Sequence, residues 1–153
     1  MKSEVKVGDN RLEISRIFDA PRKQVFALWK EVDRLEKWWG CKDTIGMQCE
    51  MDFRVGGFFT CVMQIKNAGE FTYKGQYDEI VEPAKIAYHA DFGPITTRVV
   101  VEFIDLATQT KMVLTQIGFP SVEMCKTVSR GTMESFDKLE DLLGSDAVIA
   151  AQR

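Results

Sequence analysis

The amino-acid sequence predicts an α+β domain in which an antiparallel sheet packs one face against a long C-terminal helix. From about residue 49 to residue 119, apolar and polar residues alternate in successive short segments, as half-buried strands do. From Ser121 to Leu143 the apolar residues recur at helical spacing instead. Hairpin-length turns separate the alternating segments, which favours antiparallel neighbours with one buried face for the helix to cover.

The length and composition are those of one globular domain. The chain has 153 residues, of which 45% are hydrophobic and 28% are charged, so a full core needs no metal or disulfide. We divide it into an N-terminal extension (1–10), the domain (11–144) and a C-terminal tail (145–153). No apolar run approaches the ~20 residues of a membrane span, and no signal peptide is evident, so we expect a cytoplasmic protein.

The charge and the cysteines exclude several classes of function. A net charge of −3 without a basic cluster argues against a nucleic-acid partner. The cysteines at positions 41, 49, 61 and 125 have no metal-site spacing and share the chain with one histidine. We therefore expect four free thiols, no metal site and no cofactor. We also expect Cys49, Cys61 and Cys125 to be buried.

Two short helices are predicted to follow the first strand. Alternation in residues 11–19 indicates that strand, and Pro21 suits the first turn of a helix. Apolar residues at helical spacing then continue to Val32. A second short helix carries Trp38 and ends at Gly40. Trp38 and Trp39 point about 100° apart on a helix, so we expect one in the core and the other at the edge of a pocket.

Six further strands are predicted from their alternating residues. Gly56-Gly57 is expected to form the turn between the Cys49–Val55 strand and the Phe59–Ile65 strand, because glycine permits positive φ. The inward-facing residues predicted for the remaining strands are Phe71, Tyr73, Gly75 and Tyr77; Ile86, Tyr88, Ala90 and Phe92; Val99, Val101 and Phe103; and Val113, Thr115, Ile117 and Phe119.

The long helix is predicted to start at Ser121 and to stop at Gly144, since glycine commonly ends helices. Gly131 lies inside it, where a glycine costs ~1 kcal/mol relative to alanine. We therefore expect Gly131 to mark a close approach of the helix to the sheet.

Four segments in order resemble one known family. They are FDAPRKQVFALWKEVDRLEKWWG, DFRVGGFF, GQYDEIVEPAKIAY and LTQIGFP before the last helix. Together they resemble the activator of the heat-shock-protein ATPase-like family, within the START-like (SRPBCC) superfamily of helix-grip domains. The resemblance runs from about Leu12 to Leu143. Relatives often carry Gly-Trp in the last helix, where this chain has Gly131-Thr132.

The resemblance implies a curved sheet that grips the helix, with a cavity between them for a small apolar or amphipathic molecule. The alternative is a protein-interaction domain similar to the chaperone-activating relatives, with a chaperone or a second copy of the chain as partner. The residues expected to line the cavity are Trp38, Phe53, Phe59, Met63, Tyr73, Tyr77, Tyr88, Phe103, Val128, Thr132 and Phe136.

No catalytic constellation is visible in the sequence. His89 is the only histidine, and the alternation places it on the outward face, together with acidic residues. Arg98 and Glu102 are assigned to the outward face as well, although a register slip of one residue would turn both inward. The sequence therefore favours binding over catalysis.

Overall fold

The computed structural model describes residues 3–152, which form eight strands and three helices. The elements are β1 (Glu4–Val7), β2 (Arg11–Phe18), α1 (Arg22–Lys30), α2 (Val32–Trp38), β3 (Thr44–Met51), β4 (Phe58–Ile65), β5 (Gly69–Val81), β6 (Lys85–Phe92), β7 (Ile95–Leu106), β8 (Gln109–Ile117) and α3 (Val122–Ala151).

The strands form one curved sheet in the order β1-β2-β8-β7-β6-β5-β4-β3, with every neighbouring pair antiparallel. Helix α3 packs against β1, β2 and α2. Its N-cap is Ser121, whose side chain accepts a hydrogen bond from the Met124 amide. The predicted α+β helix-grip fold, with two short helices after its first long strand, is confirmed.

The predicted faces of the central strands are confirmed. Tyr73 and Tyr77 on β5, Tyr88 on β6 and Val101 on β7 are all buried on the helix side of the sheet. His89 is half-exposed on the opposite side. Arg98 and Glu102 are exposed there too, so the register slip does not occur. The alternation of apolar and polar residues was enough to identify the buried face of these strands, because only one of their faces is strongly apolar.

The face of β8 was predicted wrongly by one residue. Its buried residues are Thr110, Met112, Leu114 and Gln116. Ile117, which was assigned to the inward face, is 39% exposed. A shift of one residue exchanges the two faces of a strand. Both faces of β8 carry apolar residues, so the alternation on this strand was ambiguous.

Two predicted elements have different bounds in the structure, and one strand was not predicted. Strand β3 ends at Met51, so Phe53 lies in the following loop rather than on a strand. Helix α3 continues through Gly144 to Ala151, which makes the predicted helix end wrong. Strand β1 was not predicted, and it forms an edge of the sheet by pairing with β2.

The double glycine forms the predicted turn between β3 and β4. Gly56 has φ +84°, a conformation that favours glycine. A Cβ on Gly57 would lie 2.0 Å from the carbonyl oxygen of Asp52, which excludes a side chain there. The Gly56 amide donates to the Tyr77 carbonyl oxygen at 2.8 Å, and the Tyr77 amide donates to the Gly57 carbonyl oxygen at 2.9 Å. The turn is therefore fastened to β5.

The expectation of four free thiols is wrong, because Cys49 and Cys61 form a disulfide. They are direct cross-strand partners on β3 and β4, with Cα atoms 4.1 Å apart. Side chains of such close antiparallel pairs are adjacent. Cys41 and Cys125 are free thiols. Burial raises the pKa of the Cys125 thiol, which disfavours the reactive thiolate.

We predict that alkylation of the denatured, unreduced protein modifies two of its four cysteines. Modification of all four should require a reductant, because Cys49 and Cys61 are joined. Intact-mass spectrometry counts the added groups, and peptide mapping locates them. Modification of Cys49 and Cys61 without a reductant, in protein purified without one, would contradict the pairing.

Candidate ligand-binding cavity

A cavity of about 340 Å³ lies between the N-terminal half of α3 and the concave face of the sheet. Strands β4, β5, β6 and β8 form its floor, and the segment after α2 closes one side. The residues that line it are Trp39, Gly40, Cys41, Met63, Ile65, Phe71, Tyr73, Tyr88, Leu114, Gln116, Met124, Thr127, Val128, Gly131, Thr132 and Ser135. The volume falls within the range of roughly 300–1,000 Å³ of small-molecule pockets.

Seven of the predicted site residues lie at this cavity or directly beside it. Met63, Tyr73, Tyr88, Val128 and Thr132 line the cavity itself. Phe59 and Tyr77 line an adjoining crevice of only about 20 Å³, whose wall also includes Tyr73 and Tyr88. The crevice is too small for more than a water molecule, so the larger cavity is the candidate site.

The other four predicted site residues lie away from the cavity wall. Trp38 is fully buried, and its indole nitrogen donates to the Leu28 carbonyl oxygen at 2.9 Å. Phe103 is buried in an aromatic cluster that includes residues of α1. The rings of Phe136 and Phe18 meet edge to face at 6.2 Å. Phe53 is half-buried in the loop after β3 and contacts Tyr77.

Several lining residues were not predicted from the sequence. Leu114 and Gln116 were missed because the face of β8 was assigned wrongly. Trp39, rather than Trp38, is the tryptophan at the cavity, where its ring stands 5.4 Å from that of Tyr73. The adjacency of the two tryptophans indicated this division of roles but not which of them took which role.

Hydrogen bonds hold the segment after α2 against α3 at the cavity edge. Gly40, at φ +104°, donates its amide to the Ser135 hydroxyl at 3.0 Å, and that hydroxyl donates to the Gly40 carbonyl oxygen at 2.8 Å. The Lys138 ammonium reaches the carbonyl oxygens of Trp39 and Cys41 at 3.5 and 3.3 Å. Burial lowers the pKa of Lys138. These contacts fix Trp39 and Cys41 in the wall.

The cavity wall carries no charge. Among residues 3–152, no aspartate, glutamate, lysine, arginine or histidine lines it. The polar groups of its side chains are hydroxyls, the Gln116 amide, the Trp39 indole N–H and the Cys41 thiol. The hydroxyls of Tyr73 and Tyr88 are hydrogen-bonded to each other. The Thr132 hydroxyl donates to the Val128 carbonyl oxygen of its own helix at 2.9 Å. The arrangement suits an apolar molecule with few polar groups.

Burial raises the pKa of Tyr73, Tyr77 and Tyr88 well above the usual value near 10, and these are the chain's three tyrosines. Because the folded state keeps the protonated phenols, their contribution to stability is complete below about pH 10 and is lost as the pH rises further. We predict that tyrosinate absorbance appears only together with unfolding, as followed by circular dichroism at increasing pH. Tyrosine ionisation near pH 10 in protein with native dichroism would contradict their burial.

Gly131 does not mark the close approach predicted from the sequence. A Cβ on Gly131 would meet only the Cβ of Cys41, at an ordinary 3.9 Å. The helix borders the cavity at this point. The missing side chain of Gly131 makes the cavity wider and does not bring the helix closer to the sheet.

We therefore predict that Gly131→Ala raises the free energy of unfolding by up to about 1 kcal/mol, the difference in helix propensity. The matched control is Gly144→Ala, on the same helix, where a Cβ meets nothing within 4 Å. Chemical denaturation of both variants should give similar gains. A clear loss of stability in Gly131→Ala alone would restore the close-approach interpretation.

Between residues 3 and 152, no three His, Cys, Asp or Glu side chains are grouped so that they could hold a metal ion. Within the same residues, none of the helices combines the length and the apolar character needed to cross a membrane.

Solved structures with the same fold come from several bacteria. A crystal structure from Chromobacterium violaceum has a TM-score of 0.77 and 22% identity, with 87% of this chain and 96% of that chain covered. A solution structure from Arthrobacter aurescens has a TM-score of 0.81 and 22% identity, with 95% and 92% covered. A crystal structure from Nitrosomonas europaea has a TM-score of 0.80 and 19% identity, with 91% and 97% covered. These similarities show the fold.

A comparison with curated protein sequences finds no match. The family model described as "Activator of Hsp90 ATPase homolog 1-like protein" matches residues 19–144. That range extends from the residues before α1 to Gly144 in the last third of α3, and it includes the whole cavity wall. The chain therefore belongs to the family of Activator of Hsp90 ATPase homolog 1-like proteins.

Proposed function

We propose that the protein binds a small apolar or amphipathic molecule in the cavity between the sheet and α3, without catalysing a reaction. The observation that carries the proposal is the cavity of about 340 Å³, whose wall is mostly apolar and holds no charged side chain among the described residues. Native interiors are close-packed, so a hollow of this size inside a domain calls for an explanation. A bound molecule supplies one.

The composition of the wall supports this function. Trp39, Tyr73 and Tyr88 present aromatic surface, while Met63 and Met124 are flexible side chains that adapt to different shapes. Phe71 lines the cavity and is 37% exposed, which places it where the cavity meets solvent. A molecule could enter beside Phe71 and come to rest against the tyrosines.

The test is a titration with prodan, an uncharged naphthalene dye whose fluorescence reports an apolar environment. We expect saturable binding with one site per chain, and a blue shift of the emission. Mass spectrometry under native conditions provides an independent readout, because a molecule retained from the expression host adds mass to the intact protein. Absence of saturable prodan binding would count against the cavity as a binding site.

A second candidate function is an interaction with another protein, in line with the chaperone-activating description of the family. The observation in its favour is the presence of two exposed apolar side chains at opposite ends of the β3–β4 hairpin, Ile45 (72% exposed) and Phe58 (67% exposed). Native mass spectrometry separates the two candidates, since a co-purifying chaperone or a dimer adds far more mass than a small molecule.

We also propose a cytoplasmic location, on the sequence evidence alone.

A further inference from the structure

We infer that the molecule bound in this cavity is uncharged and carries a hydroxyl or N–H group, which donates a hydrogen bond to the side-chain carbonyl oxygen of Gln116. This inference rests on the proposed binding function and specifies its ligand class. Gln116 lines the cavity from β8 and is only 3% exposed.

The orientation of the Gln116 amide follows from its neighbours. The Thr97 hydroxyl donates to the Ala90 carbonyl oxygen at 3.3 Å, so its proton is already engaged. The hydroxyl can still accept, and Gln116 Nε2 donates to it at 2.9 Å. An amide that directs its nitrogen to Thr97 keeps its oxygen, Oε1, for another partner.

No described residue donates a hydrogen bond to Oε1. Nor is Oε1 sealed away from open space, because it is not among the fully buried side-chain nitrogen and oxygen atoms of residues 3–152 that make no hydrogen bond. Because Gln116 is buried and borders the cavity, the open space next to Oε1 is the cavity. Its amide oxygen can therefore accept a hydrogen bond from a bound molecule.

The charge of the wall determines which donors fit. An ionised carboxylate offers only acceptor atoms, so it would oppose Oε1 rather than bind it. No lysine, arginine or histidine of the described chain lines the cavity to compensate a negative charge. An ammonium group would find no carboxylate there either. Burial of an uncompensated charge is strongly unfavourable, so an alcohol, a phenol or an amide N–H is the group that the site selects.

The experiment measures displacement of prodan by three compounds that share one ring system. 2-Naphthol carries an O–H donor, 2-methoxynaphthalene keeps the oxygen without the donor, and 2-naphthoate carries a negative charge. We expect 2-naphthol to bind about five- to tenfold more tightly than 2-methoxynaphthalene, as a hydrogen bond to a buried acceptor usually provides. 2-Naphthoate should bind at least about tenfold more weakly than 2-naphthol.

The variant Gln116→Met tests whether Gln116 causes the preference for a hydrogen-bond donor. Methionine keeps the length of the side chain and lacks the acceptor, so the affinity ratio of 2-naphthol to 2-methoxynaphthalene should fall to about one. The matched control is Gln48→Met, the same substitution at an exposed position of β3, which should keep the wild-type ratio.

Three results in the wild-type protein would overturn the inference without any variant. If prodan binds but 2-naphthol and 2-methoxynaphthalene compete equally, or 2-naphthoate competes as well as 2-naphthol, the donor inference fails and the proposed binding function stands. If neither prodan nor 2-naphthol binds, both fail. A preference that survives in folded Gln116→Met protein would overturn the assignment to Gln116.

Discussion

Replacement of Thr132 with tryptophan should weaken prodan binding at least about tenfold, which corresponds to about 1.4 kcal/mol of lost binding free energy. Thr132 lines the cavity from α3 and is half-buried. Across the cavity lie Tyr73, Tyr88 and Leu114, so an indole at position 132 would occupy the space that we assign to a ligand. The family resemblance implies a tryptophan at this point of the helix in many relatives, so we expect the fold to accommodate it.

The matched control for this variant is Thr72→Trp. Thr72 is exposed on β5, one residue before the inward-facing Tyr73, so the same substitution adds an indole on the other side of the sheet. Prodan affinity in this control should equal that of the wild-type protein. Equal affinity in folded Thr132→Trp protein would mean that prodan binds elsewhere, and the exposed side chains Ile45 and Phe58, at opposite ends of the β3–β4 hairpin, would become the better candidates.

Replacement of Gly75 with alanine should lower the free energy of unfolding by about 3 kcal/mol or more, the upper range for steric insertion into a packed interior. Gly75 is paired with Phe59 on β4 and with Ala90 on β6. A Cβ at this position would lie 1.9 Å from the backbone oxygen of His89 and 2.6 Å from the ring of Phe59. A backbone atom cannot move aside without breaking the sheet.

The control for Gly75→Ala is Gly46→Ala, a glycine on the edge strand β3. A Cβ there would meet only the flexible side chain of Gln64, at 3.3 Å. We expect a change within about 0.5 kcal/mol, which is usual for surface substitutions. Urea denaturation of both variants measures the difference. A Gly75→Ala protein as stable as Gly46→Ala would show that β5 and β6 do not approach as closely as described.

The sheet was predictable from the sequence because most of its strands bury one face only. On β5 to β7 the outward positions are largely polar or charged, so the period of two identified the buried residues. On β8 the two faces are similar, since Val113 and Ile117 alternate with Met112 and Leu114. Alternation could not decide between them, and the error concealed Gln116, the polar residue on which the ligand class now depends.

The C-terminal helix shows why glycine alone is a weak stop signal. Gly144 costs ~1 kcal/mol within a helix, but the residues after it include three alanines, which form helix readily. An ion pair between Arg34 and Asp146 also ties this last part of α3 to α2. Such a contact joins residues far apart in sequence, so periodicity along the chain does not reveal it.

The cavity itself was predictable only in part. Residues of β4, β5, β6, β8 and α3 line the cavity. The sequence identified some of these residues. Which of these residues fill the core and which border open space depends on how far α3 stands from each strand. That distance separates Phe136, packed on Phe18, from Thr132, one turn earlier at the cavity wall. The spacing of residues along a helix does not reveal the distance between that helix and the sheet.

The disulfide between Cys49 and Cys61 could not be predicted from the sequence for a similar reason. Cys49 and Cys61 are twelve residues apart, a separation that suggests no pairing by itself. They became neighbours because the Gly56-Gly57 turn sets the register of β3 on β4. The sequence predicted both strands and the turn, but the register between them was not inferred, and with it the disulfide was missed.

A nuclear magnetic resonance titration of isotope-labelled protein with 2-naphthol tests the central claim most directly, because it shows where a molecule binds. We predict saturable shifts of the backbone amide signals of Met63, Tyr73, Gln116 and Gly131, which surround the cavity. The signals of Ile45 and His89, on the β3 edge and the outward face, should stay in place. Saturable shifts confined to Ile45, Phe58 and their neighbours, with the cavity signals unchanged, would contradict a ligand-binding cavity.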